Sequence, residues 1–85
     1  MDRTNVTLKI KQVIADVADL EVEEIADGAH FIDDLELDSL SLLEIGVDID
    51  YEFKLGVDEE RLGKLRSIPE TVALVDEILS QRVAA

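Results

Sequence analysis

The stretch FIDDLELDSLSLLEIGVDIDYEF, Phe31 to Phe53, decides the fold, because a loop gives way to a helix at Asp38-Ser39 and the whole segment holds eight acids and no base. A short side-chain oxygen on Asp38 or Ser39 can accept a hydrogen bond from a free N–H of a first helical turn, so either residue can cap a helix running to about Lys54. Gly56 suits the stop after it. At about 100° per residue, Leu42, Ile45, Ile49 and Phe53 share an arc of about 80°, one core-facing stripe. A second apolar set, Leu40, Leu43, Val47 and Tyr51, fills another arc of about 80° on the far side, with Glu44 and Asp48 along its edge. One face suffices for a helix's own core. Leu43 is therefore expected to be covered by the loop or the first helix. Leu40, Val47 and Tyr51 are left as an apolar strip rimmed by carboxylates, the outline of a docking surface.

Outward from this segment the chain reads as helical. Val6, Ile10, Val13, Ile14 and Val17 recur at spacings of three and four, predicting an amphipathic helix from about Thr4 to about Leu20. Residues 21–37 show no sustained period and contain Asp27-Gly28, yet Val22, Ile25, Phe31, Ile32 and Leu35 can pin this long loop on a core. A short third helix is expected from about Asp58 to about Lys64. Ser67 with Glu70 forms a capping box, and Pro69 falls in the first turn of a last helix that buries Val72, Val75, Ile78 and Leu79. The expected fold is all-α: a small four-helix bundle of three main helices plus one short helix, with a long loop between the first and second, as one domain over residues 1–85.

Charge narrows the partners. Eight Lys+Arg against 21 Asp+Glu give a net charge of −13, and the span from Gln12 to Phe53 has fourteen acids and no Lys or Arg. Nucleic acid is a poor partner for such a surface; a basic protein surface is a good one. An acidic surface also keeps a small protein soluble, but here the acids cluster on one segment. No cysteine is present, so there is neither a disulfide framework nor a thiolate metal site. The N-terminus lacks the apolar run of a signal peptide and no segment is long enough to span a membrane, which fits a cytoplasmic setting.

Catalysis by Ser39 itself finds little support. A nucleophilic serine needs a base and oxyanion donors; the sole histidine, His30, reads as an ordinary loop residue, and no G-x-S-x-G elbow surrounds Ser39. A calcium loop starting at Asp34 puts Ser39 and Ile45 where glycine and glutamate belong, and one starting at Asp48 puts Phe53 at the glycine. No metal site is expected.

A serine modified by another protein remains. D-D-L-x-L-D-S-L opening an acidic helix that ends in Glu52-Phe53, followed by a short helix and a last helix introduced by I-P-E-T-V, resembles the acyl carrier proteins of fatty acid and polyketide synthesis, over almost the whole chain. The resemblance implies that Ser39 receives a 4′-phosphopantetheine arm from coenzyme A through a phosphopantetheinyl transferase, and that the arm's thiol carries acyl groups as thioesters. It implies that Asp38 takes part in contacts made when the transferase brings coenzyme A and its metal ion. It further implies that Leu40, Glu44, Val47 and Asp48 form the face read by an acyltransferase or acyl-activating enzyme, a ketosynthase and other enzymes with basic surfaces. Asp50 and Glu52 are lesser members of that face. On this reading the chain is a monomeric carrier with no catalytic residue of its own. An anion at Ser39 would also suit the positive end of the second helix.

Two residues depart from the family pattern. Glu36 stands where glycine is common, and Gly46 where a larger apolar residue is usual, which could widen an acyl-holding cavity or soften the helix. These tilt the reading towards a specialised polyketide or hybrid route, and the methionine start suits a free-standing carrier. A peptidyl carrier, a D-alanyl carrier and an unmodified acidic adaptor stay open as alternatives.

Overall fold

The computed structural model describes residues 3–84; residues 1, 2 and 85 of the expected domain lie outside the described residues. Four helices follow in order: α1 (Arg3–Ala18), α2 (Ser39–Phe53), α3 (Glu59–Leu62) and α4 (Ile68–Ala84), with one 3-10 turn, Val22–Glu24, in the loop after α1. The all-α expectation holds, and among the described residues the only β-type pairing is an isolated bridge between His30 and Ser67.

The helices end where the backbone turns left-handed. Asp19 has φ 57° and Lys54 φ 54°; beyond them Leu20 N donates to Ala15 O at 3.0 Å and Leu55 N to Asp50 O at 3.1 Å, the back-reaching bonds that close a helix. Helix α1 thus stops short of Leu20, and Lys54 rather than Gly56 terminates α2. Gly56, at φ 70°, supplies a second left-handed residue in the turn towards α3. That last helix keeps one turn of the expected 58–64.

Helix α1 packs against both α2 and α4. Val6, Ile10 and Ile14 of α1, Ile45, Ile49 and Phe53 of α2, and Ile68, Val72 and Val75 of α4 are buried together. Val13, Val17, Leu42, Ile78 and Leu79 are only partly buried around them. The start of α4 is held by the expected box with one change of partner. Glu70 N donates to Ser67 Oγ at 3.3 Å, and Glu70 Oε2 accepts from the N–H of Arg66 at 3.0 Å, not from that of Ser67.

The long loop is pinned at two places. Ile25, Ala29, Phe31 and Leu37 are buried, and residues 29–31 run alongside 66–68, with Phe31 N donating to Arg66 O at 2.8 Å and Ile68 N to Ala29 O at 3.0 Å. Ile32 points outward instead of into the core, because Phe31 and Leu37 take the inside of this turn. The loop therefore covers the start of α4 and leaves the outer face of α2 open.

Gly46 does not widen a cavity. A Cβ built there would lie 3.1 Å from Leu62 Cβ, so the missing side chain lets α3 press directly onto α2.

Candidate functional site

The site begins with a division of labour between neighbours. Asp38, extended at φ −92° and ψ 176°, is the N-cap of α2, and its Oδ1 accepts from Ser41 N at 2.8 Å. Hydrogen bonds from Ser41, the backbone N–H foremost and the hydroxyl next, hold the Asp38 carboxyl below its ordinary pKa. Of the two possible caps Asp38 takes the task. Ser39 is thereby the first helical residue, exposed, with no hydrogen-bond partner for its hydroxyl among the described residues. An incoming phosphoryl group can reach that oxygen without any rearrangement of the cap.

From Ser39 the outer stripe of α2 runs in the open. Leu40 is 66% exposed, Val47 44% and Tyr51 82%. Leu43, expected to be covered, is 42% exposed: the loop packs against α4's start and α1 occupies the opposite side of α2, so nothing remains to shield it. Leu43 and Val47, with Glu44 and Asp48, line one shallow hollow on this face.

The carboxylates sort into two groups. Glu44 and Asp48 are exposed and have no ion-pair partner among the described residues. Asp50 and Glu52 make contacts within the fold, although Glu52 stays exposed. Asp50 Oδ1 accepts from Val57 N at 3.1 Å, fixing the α2–α3 turn, and Glu52 pairs with Lys9 of α1 at 2.9 Å. Four further cations pair with other acids: Arg3 with Asp76, Lys11 with Asp27, Arg61 with Glu77 and Lys64 with Glu60. His30 lies 3.6 Å from Asp33 and bridges the loop to Ser67, a structural position. No group of His, Cys, Asp and Glu among the described residues is arranged to hold a metal ion, and no helix of the described residues is long and apolar enough to cross a membrane.

Sequence comparison gives this geometry its family. A family model described as a phosphopantetheine attachment site matches residues 8–75. The chain is 33% identical over 72 residues to an acyl carrier protein of Buchnera aphidicola, covering 85% of this chain and 91% of the relative. It is 37% identical over 67 residues to polyketide-8 synthase acyl carrier protein 2 of Streptomyces avermitilis, covering 79% and 77%. A meromycolate extension acyl carrier protein of Mycobacterium tuberculosis is 33% identical over 69 residues, covering 81% and 60%. The four-helix order, the exposed serine at the head of an acidic helix and these matches together place the chain in the acyl carrier protein family, whose cofactor is a covalently bound 4′-phosphopantetheine.

Proposed function

We propose that Ser39 is the attachment point of the arm and that the chain works as a carrier, a substrate of other enzymes with no catalytic residue of its own. The observation that carries this reading is the relation of Asp38 to Ser39: the aspartate caps α2, so the serine hydroxyl is spared any structural task. The first turn of α2 favours the phosphodiester that would form at this oxygen, through its N–H groups and the positive end of the helix dipole. Asp38, exposed and ionised beside the serine, is available to the metal ion that accompanies coenzyme A. The bound arm supplies the thiol on which acyl groups are held.

Leu40, Glu44, Val47 and Asp48 form the docking face, joined by Leu43. Apolar side chains supply contact area and the two carboxylates steer basic surfaces of the transferase, of an acyltransferase or acyl-activating enzyme and of a ketosynthase. We place the chain as a single carrier domain in the cytoplasm, where coenzyme A and these enzymes meet. The relatives include carriers named for polyketide synthesis and for meromycolate extension, and Glu36 and Gly46 favour a specialised route over the common one. Intact mass after incubation with coenzyme A and a broad-range phosphopantetheinyl transferase tests the reading. A gain of one arm per chain supports the carrier; no gain leaves an unmodified acidic adaptor.

A further inference from the structure

An acyl group on the arm can lie in water or between helices, and the seams of this bundle decide which. The seams that α1 makes with α2 and α4 are filled by the shared core, in which Val6, Ile10, Ile14, Ile45, Ile49 and Val75 are at most 2% exposed. The seam between α2 and α3 would part most easily, because α3 is a single turn and contributes no buried residue to that core. Gly46 sits on this seam. Its missing side chain would leave room for an alkyl chain if α3 stood off from α2.

Helix α3 does not stand off. A Cβ at position 46 would meet Leu62 Cβ at 3.1 Å, Cδ1 at 3.8 Å and Cγ at 3.9 Å, so the Leu62 side chain occupies the place, and it is only 5% exposed there. Side-chain rotation does not reopen the seam, since a Cβ moves only with its backbone. The backbone around α3 is tied on several sides. Asp58 Oδ1 accepts from Arg61 N at 3.2 Å, and Asp50 Oδ1 of α2 accepts from Val57 N at 3.1 Å. Arg61 also pairs with Glu77 of α4 at 3.4 Å. We propose that Leu62 closes the α2–α3 seam against the cargo, so that this carrier presents its acyl group outside the helices, a placement that fits short or oxygenated acyl groups. An apolar chain gains by leaving water; kept from the seam, a long alkyl group stays hydrated and gains nothing from this carrier. Short or oxygenated groups forgo little. Gly46 then serves the close approach of two helices and not cargo space. The proposal rests on the carrier reading, with Ser39 as the attachment point.

Acetyl- and octanoyl-coenzyme A with a broad-range transferase give the parent bearing each group, the acylated arm passing to Ser39 with release of the adenosine bisphosphate. Intact mass reports the loading. The two loaded forms of the parent should melt at the same temperature, and hydroxylamine should cleave each thioester at the rate of the same group on coenzyme A. The octanoyl form should be held longer on a hydrophobic-interaction column. Leu62→Ala keeps the Cβ and empties the Cγ and Cδ positions beside Gly46. Its octanoyl form should melt above its acetyl form, elute nearer to it and lose its thioester at least about threefold more slowly, because the chain then spends most of its time inside. Leu62→Val, a milder trim, should move the same way by less, and the parent comparison stands whether or not either variant folds. An octanoyl parent that melts above the acetyl parent, with a protected thioester, overturns this proposal alone. Folded Leu62 variants that give octanoyl no protection also overturn it, since Leu62 would not be what closes the seam. A parent that gains no mass overturns the carrier reading and this proposal with it.

Discussion

Val47 and Ile49 lie two positions apart on α2 and face opposite ways, Val47 44% exposed and Ile49 1%. The pair separates the exposed outer stripe of α2 from the core. Ile49→Asp would forfeit about 1.5–3 kcal/mol of apolar burial and force a carboxylate into a dry site, which a domain of this size cannot absorb; circular dichroism should show it largely unfolded. Val47→Asp should keep its helicity and melting temperature while losing acyl transfer to a condensing enzyme or acyltransferase. If Val47→Asp unfolds the chain as badly, the outer stripe belongs to the core.

The rim charges should act on association. Glu44→Lys with Asp48→Lys leaves every ion pair among the described residues intact, so the fold should survive. Partner binding should weaken chiefly through a slower on-rate. Added salt should have a similar effect on the parent, because exposed charges are screened. Stopped-flow binding at two ionic strengths reads both, and indifference to both would reduce the acidic face to a solubility device.

Gly46 and Leu62 predict a near-cancellation. Alanine at position 46 gains about 1 kcal/mol of helix propensity over glycine, but its Cβ would sit 3.1 Å from Leu62 Cβ, an atom fixed to the α3 backbone, so α3 has to move. Gly46→Ala should leave stability within about 1 kcal/mol of the parent, with amide shifts concentrated in residues 58–65. A full gain with no shift changes in α3 would mean that the contact is looser than the structure has it.

Asp38 gives a pH signature. Its carboxyl is held below the ordinary value by the hydrogen bonds from Ser41, so the ionised form is favoured in the folded state. The stability it contributes is complete above the ordinary aspartate pKa and is lost as pH falls from there through the lowered folded value. Asp38→Asn keeps a capping oxygen and should lose this part of the acid dependence. Melts of both proteins between pH 5 and pH 2 check it, and parallel curves would deny the cap its charge.

The sequence made the helices legible because their apolar spacing is regular, and it made Ser39 legible because D-S-L heads a strongly acidic helix. Three features escaped it for physical reasons. Leu43 looked coverable because periodicity reports which residues share a face, not where a long loop will lie; the pairing of residues 29–31 with 66–68 decided that. The contacts of Asp50 and Glu52 were not legible because their partners, Val57 N and Lys9, lie outside α2. The left-handed backbone of Glu36 was hidden by its side chain, although the glycine common at that position in the family carried the hint.

The central claim is that Ser39 alone takes the arm, and peptide mapping of the loaded protein tests it most directly. The account predicts one phosphopantetheine on the peptide containing Ser39, fragmentation placing it on Ser39, and no arm at all on Ser39→Ala. An arm on Ser41 or Ser80, or undiminished loading of Ser39→Ala, would contradict it.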